Sequence, residues 1–261
     1  MKTAARTIDY GSRGTVTVVP DAELLAVHAA HLVVSAVDRA AAADRRAVIA
    51  LSGGSTPKQM GKLFAAEPMR SRMAWNSIEV FWGDERWVSL DDPESNAGEA
   101  MRGFLDRVPI AKERLHPFAT GGIDPEQSAR DLEQEIRRLT PGTAIPQFDL
   151  ILLGMGDDGH TASLFPGTAA IHETERLVVG HRVDKLDATR LTFTPPLINA
   201  ARKVAFLVGG ASKAEMLAAV LDGPVDFDMY PSQVVWPRSG DLTWIVDEAA
   251  ASRLERNVDR G

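Results

Sequence analysis

The amino-acid sequence predicts an α/β fold, with a mostly parallel, doubly wound sheet and helices on both faces. Three observations carry this. Short β-rich apolar runs alternate with helical stretches, the pattern a parallel sheet covered on both sides leaves in a sequence. Gly- or charge-rich segments directly follow three predicted strands, at Ser52–Ser55, Gly83–Arg86 and Gly154–His160. At 261 residues and 44% hydrophobic composition the chain can bury one sizeable core. No repeat, linker or low-complexity tract divides it. Residues 1–261 are therefore read as a single domain, with a small lobe expected from residues 95–145.

Thr15–Val19 reads as the first strand, and Pro20-Asp21 opens an Ala-rich helix from Ala22 to Ala43. Ala47–Leu51 is a short buried strand, followed by the Ser52–Pro57 turn and a helix from Pro57 to Ala65. Ser77–Trp82 is the next strand and ends in Gly83-Asp84-Glu85-Arg86. Helices follow around Ser95–Leu105 and over Pro125–Leu139. Phe148–Leu153 is the clearest central strand and runs straight into Gly154. Later strands are expected at Leu177–Val179, Arg190–Thr194, Lys203–Val208, Gln233–Val235 and Leu242–Val246. A helix covers Ser212–Leu221, and another follows Asp247.

The formal net charge of −7 gives no basic excess to neutralise nucleic-acid phosphates, so no nucleic-acid partner is expected. A few converging Arg and Lys side chains can still hold a small anion on an acidic protein. With no cysteine in the chain, disulfides, thiolate nucleophiles and Cys-based zinc sites are ruled out, which suits a cytoplasmic protein. Met1–Gly14 has no apolar segment of a secretory signal. No apolar run is expected to approach the roughly 18 residues that span a bilayer, so no membrane partner is expected either.

In an open parallel sheet the carboxyl ends of the strands share one edge, where ligands bind. The three special segments can therefore converge. In the first, Ser52, Gly53, Gly54 and Ser55 link a strand to a helix start. Paired glycines let the backbone approach a ligand, and the free amides of the helix start attract anions. The plain alternative is a tight capped turn. In the second, Asp84, Glu85 and Arg86 combine two carboxylates with a guanidinium fork for phosphate or carboxylate. The plain alternative there is a solvated loop with a local ion pair.

The third segment is the strongest. Gly154, Gly156 and Gly159 permit an irregular backbone, and His160 emerges beside Leu164-Phe165 with Asp158 two residues before it. Imidazole is the side chain best poised for proton transfer near neutral pH. No further His or carboxylate lies nearby at ligand spacing, so no metal is expected. Arg190 and Lys213 each add a cation on later elements. Lys213 stands at a helix start, where a cation opposes the dipole unless an anion shares the site. The remaining histidines, at 28, 31, 116, 172 and 181, are assigned no role.

Leu-Ser-Gly-Gly-Ser-Thr-Pro (51–57), Phe-Trp-Gly-Asp-Glu-Arg-Trp-Val (81–88) and Glu-Ser-Asn (94–96) occur in order with Asp149 through Gly167. Arg-Leu-Thr-Phe-Thr (190–194) and Leu-Val-Gly-Gly-Ala-Ser-Lys-Ala (207–214) complete the series. Together they strongly resemble the 6-phosphogluconolactonase family across residues 15–250, with Ser89 and Ala97 departing from the usual pattern. The resemblance implies a sugar-phosphate isomerase/deaminase-like sheet. It also implies hydrolysis of 6-phosphoglucono-δ-lactone to 6-phosphogluconate in the oxidative pentose phosphate pathway, with no cofactor. His160 would act as general base and Asp158 would orient it. The phosphate would lie on the Ser52–Ser55 turn with Arg86 and either Arg190 or Lys213. A monomer or small homo-oligomer acting on a small molecule is expected. The competing readings are a deaminase or isomerase on the same scaffold and a non-catalytic sugar-phosphate sensor. Against the deaminase, the sequence continues Thr161-Ala162-Ser163-Leu164-Phe165-Pro166 after the histidine.

Overall fold

A computed structural model describes residues 5–255. The chain opens with β1 (Arg6–Asp9) and returns antiparallel as β2 (Thr15–Val19). Asp21 caps α1 (Ala22–Ala42), its carboxylate accepting from the Leu24 amide at 2.9 Å, which satisfies a free donor of the first turn. Next come β3 (Ala47–Leu51), α2 (Ser55–Phe64), α3 (Met69–Arg72), β4 (Ile78–Trp82) and β5 (Asp84–Arg86). They are followed by α4 (Asn96–Gly103), β6 (Leu115–His116), α5 (Pro125–Leu139) and β7 (Leu150–Leu153). The last third holds β8 (Val178–Val183), β9 (Ala188–Phe193), α6 (Pro195–Ile198), β10 (Lys203–Val208), α7 (Ala214–Asp222) and β11 (Asp241–Asp247).

The main sheet has eight strands in the order β1-β2-β11-β10-β7-β3-β4-β6. Its β1–β2 pair is antiparallel and its other pairs are parallel. Strands β3, β4 and β7 are buried at every residue, which is why they read as unbroken apolar runs. From β3 the chain builds outward through β4 and β6. From β7 it builds the other way through β10 and β11. The switch point lies between β3 and β7, which pair through Ile49 and Leu150. The loops leaving these two strands, Ser52–Ser55 and Gly154–His160, therefore open the crevice where such sheets bind ligands.

A second sheet, β5-β9-β8, is antiparallel. The expected lobe of residues 95–145 does not form as a unit. Instead α4 packs by α2, β6 pairs with β4 at the sheet edge, and α5 lies on β8 and β9. The strand expected at Gln233–Val235 is also absent, because Pro231–Val234 forms a 3-10 turn. There the Gln233 amide donates to the carbonyls of Val220 and Pro224, both at 3.0 Å, tying the segment to the end of α7 instead of to a sheet. The helix after Asp247 is a short 3-10 turn, Ala250–Arg253.

The membrane expectation also needs correction. Helix α1 is 21 residues long with a mean hydropathy of 1.3, long and apolar enough to cross a bilayer. Here its apolar stripe, including Leu25, Ala29, Val33, Ala36 and Ala40, is buried against β2, β3, β7, β11 and α2. It is a core helix. The buried apolar residues form one contiguous cluster that includes side chains from Tyr10 to Leu254.

Candidate active site

The loop after β7 is held by its own backbone. The Gly156 amide donates to the His160 carbonyl at 2.8 Å, and the Gly159 amide to the Gly156 carbonyl at 3.2 Å. Ser232 donates its amide (2.9 Å) and hydroxyl (2.8 Å) to the Gly159 carbonyl. Gly159 has φ +77°, a conformation suited to glycine. Inside this frame His160 Nδ1 lies 2.5 Å from Asp158 Oδ1, and the His160 amide donates to the same oxygen at 3.3 Å. The imidazole stacks on Phe165 with ring centroids 4.1 Å apart. With Nδ1 engaged by the carboxylate, Nε2 is the ring nitrogen left to exchange a proton.

The other Asp158 oxygen accepts from Lys185 Nζ at 2.8 Å. Burial pushes the Asp158 carboxyl up, but the Lys185 ammonium and His160 outweigh it and hold the group well below the usual carboxylate range. The stabilisation this gives the fold is small, because solvent screens the exposed Lys185, and it is present above roughly pH 4. That contribution is lost only as the pH falls toward the depressed value.

Across the cleft, β5 and β9 pair so that Arg86 stands opposite Arg190. Arg86 Nη1 donates to the Glu94 carbonyl at 2.6 Å, and Arg190 Nη1 to the Thr189 carbonyl at 3.1 Å. Among the described residues no carboxylate lies within ion-pair distance of either guanidinium. Burial and the neighbouring Arg86 push Arg190 down. Two guanidinium groups held together without a direct ion pair are chemically suited to hold an anion, with Asp84, Glu94 and Glu85 near enough to offset part of their charge.

Asp84 and Glu85 differ in role. Asp84 accepts from the Ser163 hydroxyl at 2.8 Å and from Asn96 Nδ2 at 3.3 Å. Glu85 is fully buried and accepts from the Ser95 hydroxyl and the amides of Arg86, Asn96 and Ala97. It fastens the start of α4 against β5. Ala97 itself is fully buried, so a larger residue at this departure from the family pattern would need space here.

Asp84, Arg86, Asp158, His160, Phe165 and Arg190 line one open cleft of about 550 Å3, a size that suits a small metabolite. The structure thus brings together most of the residues that the sequence singled out. Ser52, Gly53 and Gly54 do not line this cleft; with Asn96 they line a second pocket of about 180 Å3. A Cβ on Gly53 would meet Asn96 Oδ1 at 1.9 Å, so the turn reaches Asp84 through Asn96. The Ser52 hydroxyl is buried and has no protein partner. Ser55 opens α2 and is exposed, with Gly54 as the cap residue at φ +110°. Lys213 is paired with Asp157 at 2.6 Å, so it meets the cleft only through that rim carboxylate.

The sequence reading missed Lys185, Ser163 and Asn96. It had matched Glu94-Ser95-Asn96 as a motif without giving it a task. His181, given no role, contacts the Ser163 carbonyl through Nε2 at 2.9 Å, and burial pushes it down. Among the described residues no group of three or more His, Asp or Glu side chains is clustered to hold a metal ion.

Gly156 is fixed by the His–Asp pair rather than by its own torsion. A Cβ there would lie 2.0 Å from His160 Nδ1 and 2.8 Å from Asp158 Oδ1. We expect Gly156→Ala to displace the imidazole and lower kcat by about 100-fold, with the protein still folded by circular dichroism. Wild-type turnover in a folded Gly156→Ala protein would show that the pair does not need this geometry.

Residues 20–244 match the family model of glucosamine-6-phosphate isomerases/6-phosphogluconolactonase. The chain belongs to this family. A relative named 6-phosphogluconolactonase, from Synechocystis, is 43% identical over 92% of this chain and 98% of its own. The structure of 6-phosphogluconolactonase from Trypanosoma cruzi superposes with a TM-score of 0.81 at 28% identity, covering 96% of this chain and 99% of that one. A monomeric glucosamine-6-phosphate deaminase shares the fold with a TM-score of 0.77 at 23% identity, over 91% and 99% of the two chains. Within the family the chain is therefore nearer in sequence to these lactonases than to this deaminase.

Proposed function

We propose that the protein is an enzyme that hydrolyses 6-phospho-D-glucono-1,5-lactone to 6-phosphogluconate in the oxidative pentose phosphate pathway, acting on a free small molecule in the cytoplasm. The observation that carries this is the His160–Asp158 pair facing the Arg86–Arg190 pair within one cleft, in a chain closely related to named lactonases.

A δ-lactone opens slowly in water unaided, so no covalent nucleophile is needed. His160 Nε2 takes a proton from water as its oxygen attacks C1. The tetrahedral intermediate then collapses, the bond from C1 to the ring oxygen breaks, and the imidazolium returns the proton to that oxygen. Asp158 remains ionised and supports the imidazolium in between. The guanidinium pair binds the distal phosphate and fixes where C1 falls relative to Nε2; positioning of this kind supplies much of a rate. The Ser52–Ser55 turn lines a second pocket with Asn96, which bonds Asp84 of the cleft; the turn's amides would add to the phosphate contact if the phosphate extends to that side.

The test is a lactonase assay on 6-phosphoglucono-δ-lactone, corrected for spontaneous opening, run beside a glucosamine-6-phosphate deaminase assay. Turnover of the lactone alone, unaffected by exhaustive chelation, is expected. Deamination without lactone turnover would overturn the reading. Loss of the lactonase rate on chelation, restored by one divalent ion, would instead require Asp157 or Asp158 to be a metal ligand.

A further inference from the structure

Resting on that reading of the reaction, we propose that Lys185 is a positioning residue of the lactonase. It fixes the second oxygen of Asp158 and places a cation beside the carboxylate on which the His160 ring leans.

Lys185 lies in the short turn Asp184–Leu186 that joins β8 to β9, the same hairpin that carries Arg190. Its side chain is largely exposed, yet the ammonium is bonded 2.8 Å from Asp158 Oδ2. As a stabilising device such a pair is worth little, because solvent screens it and a long side chain is ordered to make it. Its effect falls on the partner. With His160 on Oδ1 and Lys185 on Oδ2, the carboxylate is held at both oxygens, which favours the orientation in which the imidazole leans on it.

The charge argument points the same way. Asp84, Asp157 and Asp158 line the cleft with Arg86, Arg190 and Lys185, while Lys213 is taken up by Asp157. A bound phosphate neutralises the arginine pair and brings further negative charge. Both effects favour the imidazolium, the form that cannot act as base. Lys185 is the cation placed on the His–Asp pair itself, and it counters this at the group that matters.

The experiment compares wild type, Lys185→Met and Lys185→Arg on 6-phosphoglucono-δ-lactone across pH, with His160→Ala in parallel. For Lys185→Met, kcat should fall between about 10- and 100-fold, while KM changes by less than about threefold. Removing a cation favours imidazolium, so the acidic limb of kcat should move to higher pH. Lys185→Arg should recover most of the rate and the original limb. Because the side chain is exposed, thermal unfolding of both variants should match the wild type. A Lys185→Met enzyme with wild-type kcat and pH limb overturns the assignment. So does a defect confined to KM, which would make Lys185 a substrate ligand, or a slower enzyme whose limb has not moved. An inactive wild type would instead sink the lactonase reading. An active wild type, a dead His160→Ala and an unchanged Lys185→Met would sink only the role of Lys185.

Discussion

His160→Ala should lower kcat on 6-phosphoglucono-δ-lactone by about 100- to 10,000-fold, with KM little changed, because only proton transfer is lost. The ring's fixed contacts are to Asp158, on the amide side of the loop, and to Phe165. The amide and carbonyl of residue 160 keep their bonds when the ring is removed. The loop therefore survives, and the variant reports chemistry rather than folding. Stopped assays with subtraction of the uncatalysed rate measure this directly. The pH profile adds a second check: Asp158 is held well below the usual carboxylate range, so its own protonation should not set the acidic limb of kcat.

Arg86→Ala and Arg190→Ala should each raise KM for the phosphorylated lactone by roughly 10- to 100-fold, the cost of one charge-assisted contact to the phosphate. A fall in kcat should accompany this to the extent that the phosphate contact positions C1. The two substitutions share one ligand group, so their effects should not add. A crystal grown in phosphate or sulfate should show the anion between the two guanidinium groups, with the Ser52–Ser55 amides at its edge. Wild-type KM in both variants would remove the arginine pair from the substrate site.

Much of this site is legible in the sequence because it is local. Gly154, Gly156 and Gly159 mark the irregular loop, and Asp158 lies two residues from the histidine that it holds. The loops that converge at the switch point follow from strands readable as apolar runs. The partners that were missed depend on long-range register. Arg86 and Arg190 both stand out in the sequence as cations, but their direct opposition comes from the pairing of β5 with β9 in a separate sheet, which neither segment announces. Lys185 reaches Asp158 from a hairpin turn that reads as an ordinary polar loop. Asn96 gains its place because Gly53 leaves room for its side chain. Val234-Val235 shows the converse error: local β-propensity gives way to a turn that Pro231 opens and Gln233 ties down.

The most direct test of the division of labour between the two halves of the cleft is turnover of glucono-δ-lactone, the substrate without its phosphate, by wild type, Arg86→Ala and His160→Ala. The wild type should handle it poorly, and Arg86→Ala should be little worse, since the contact it deletes is already missing. His160→Ala should abolish what remains. Background-corrected turnover that survives in His160→Ala on both lactones would contradict this account, and would move the base to Asp84 or Asp158.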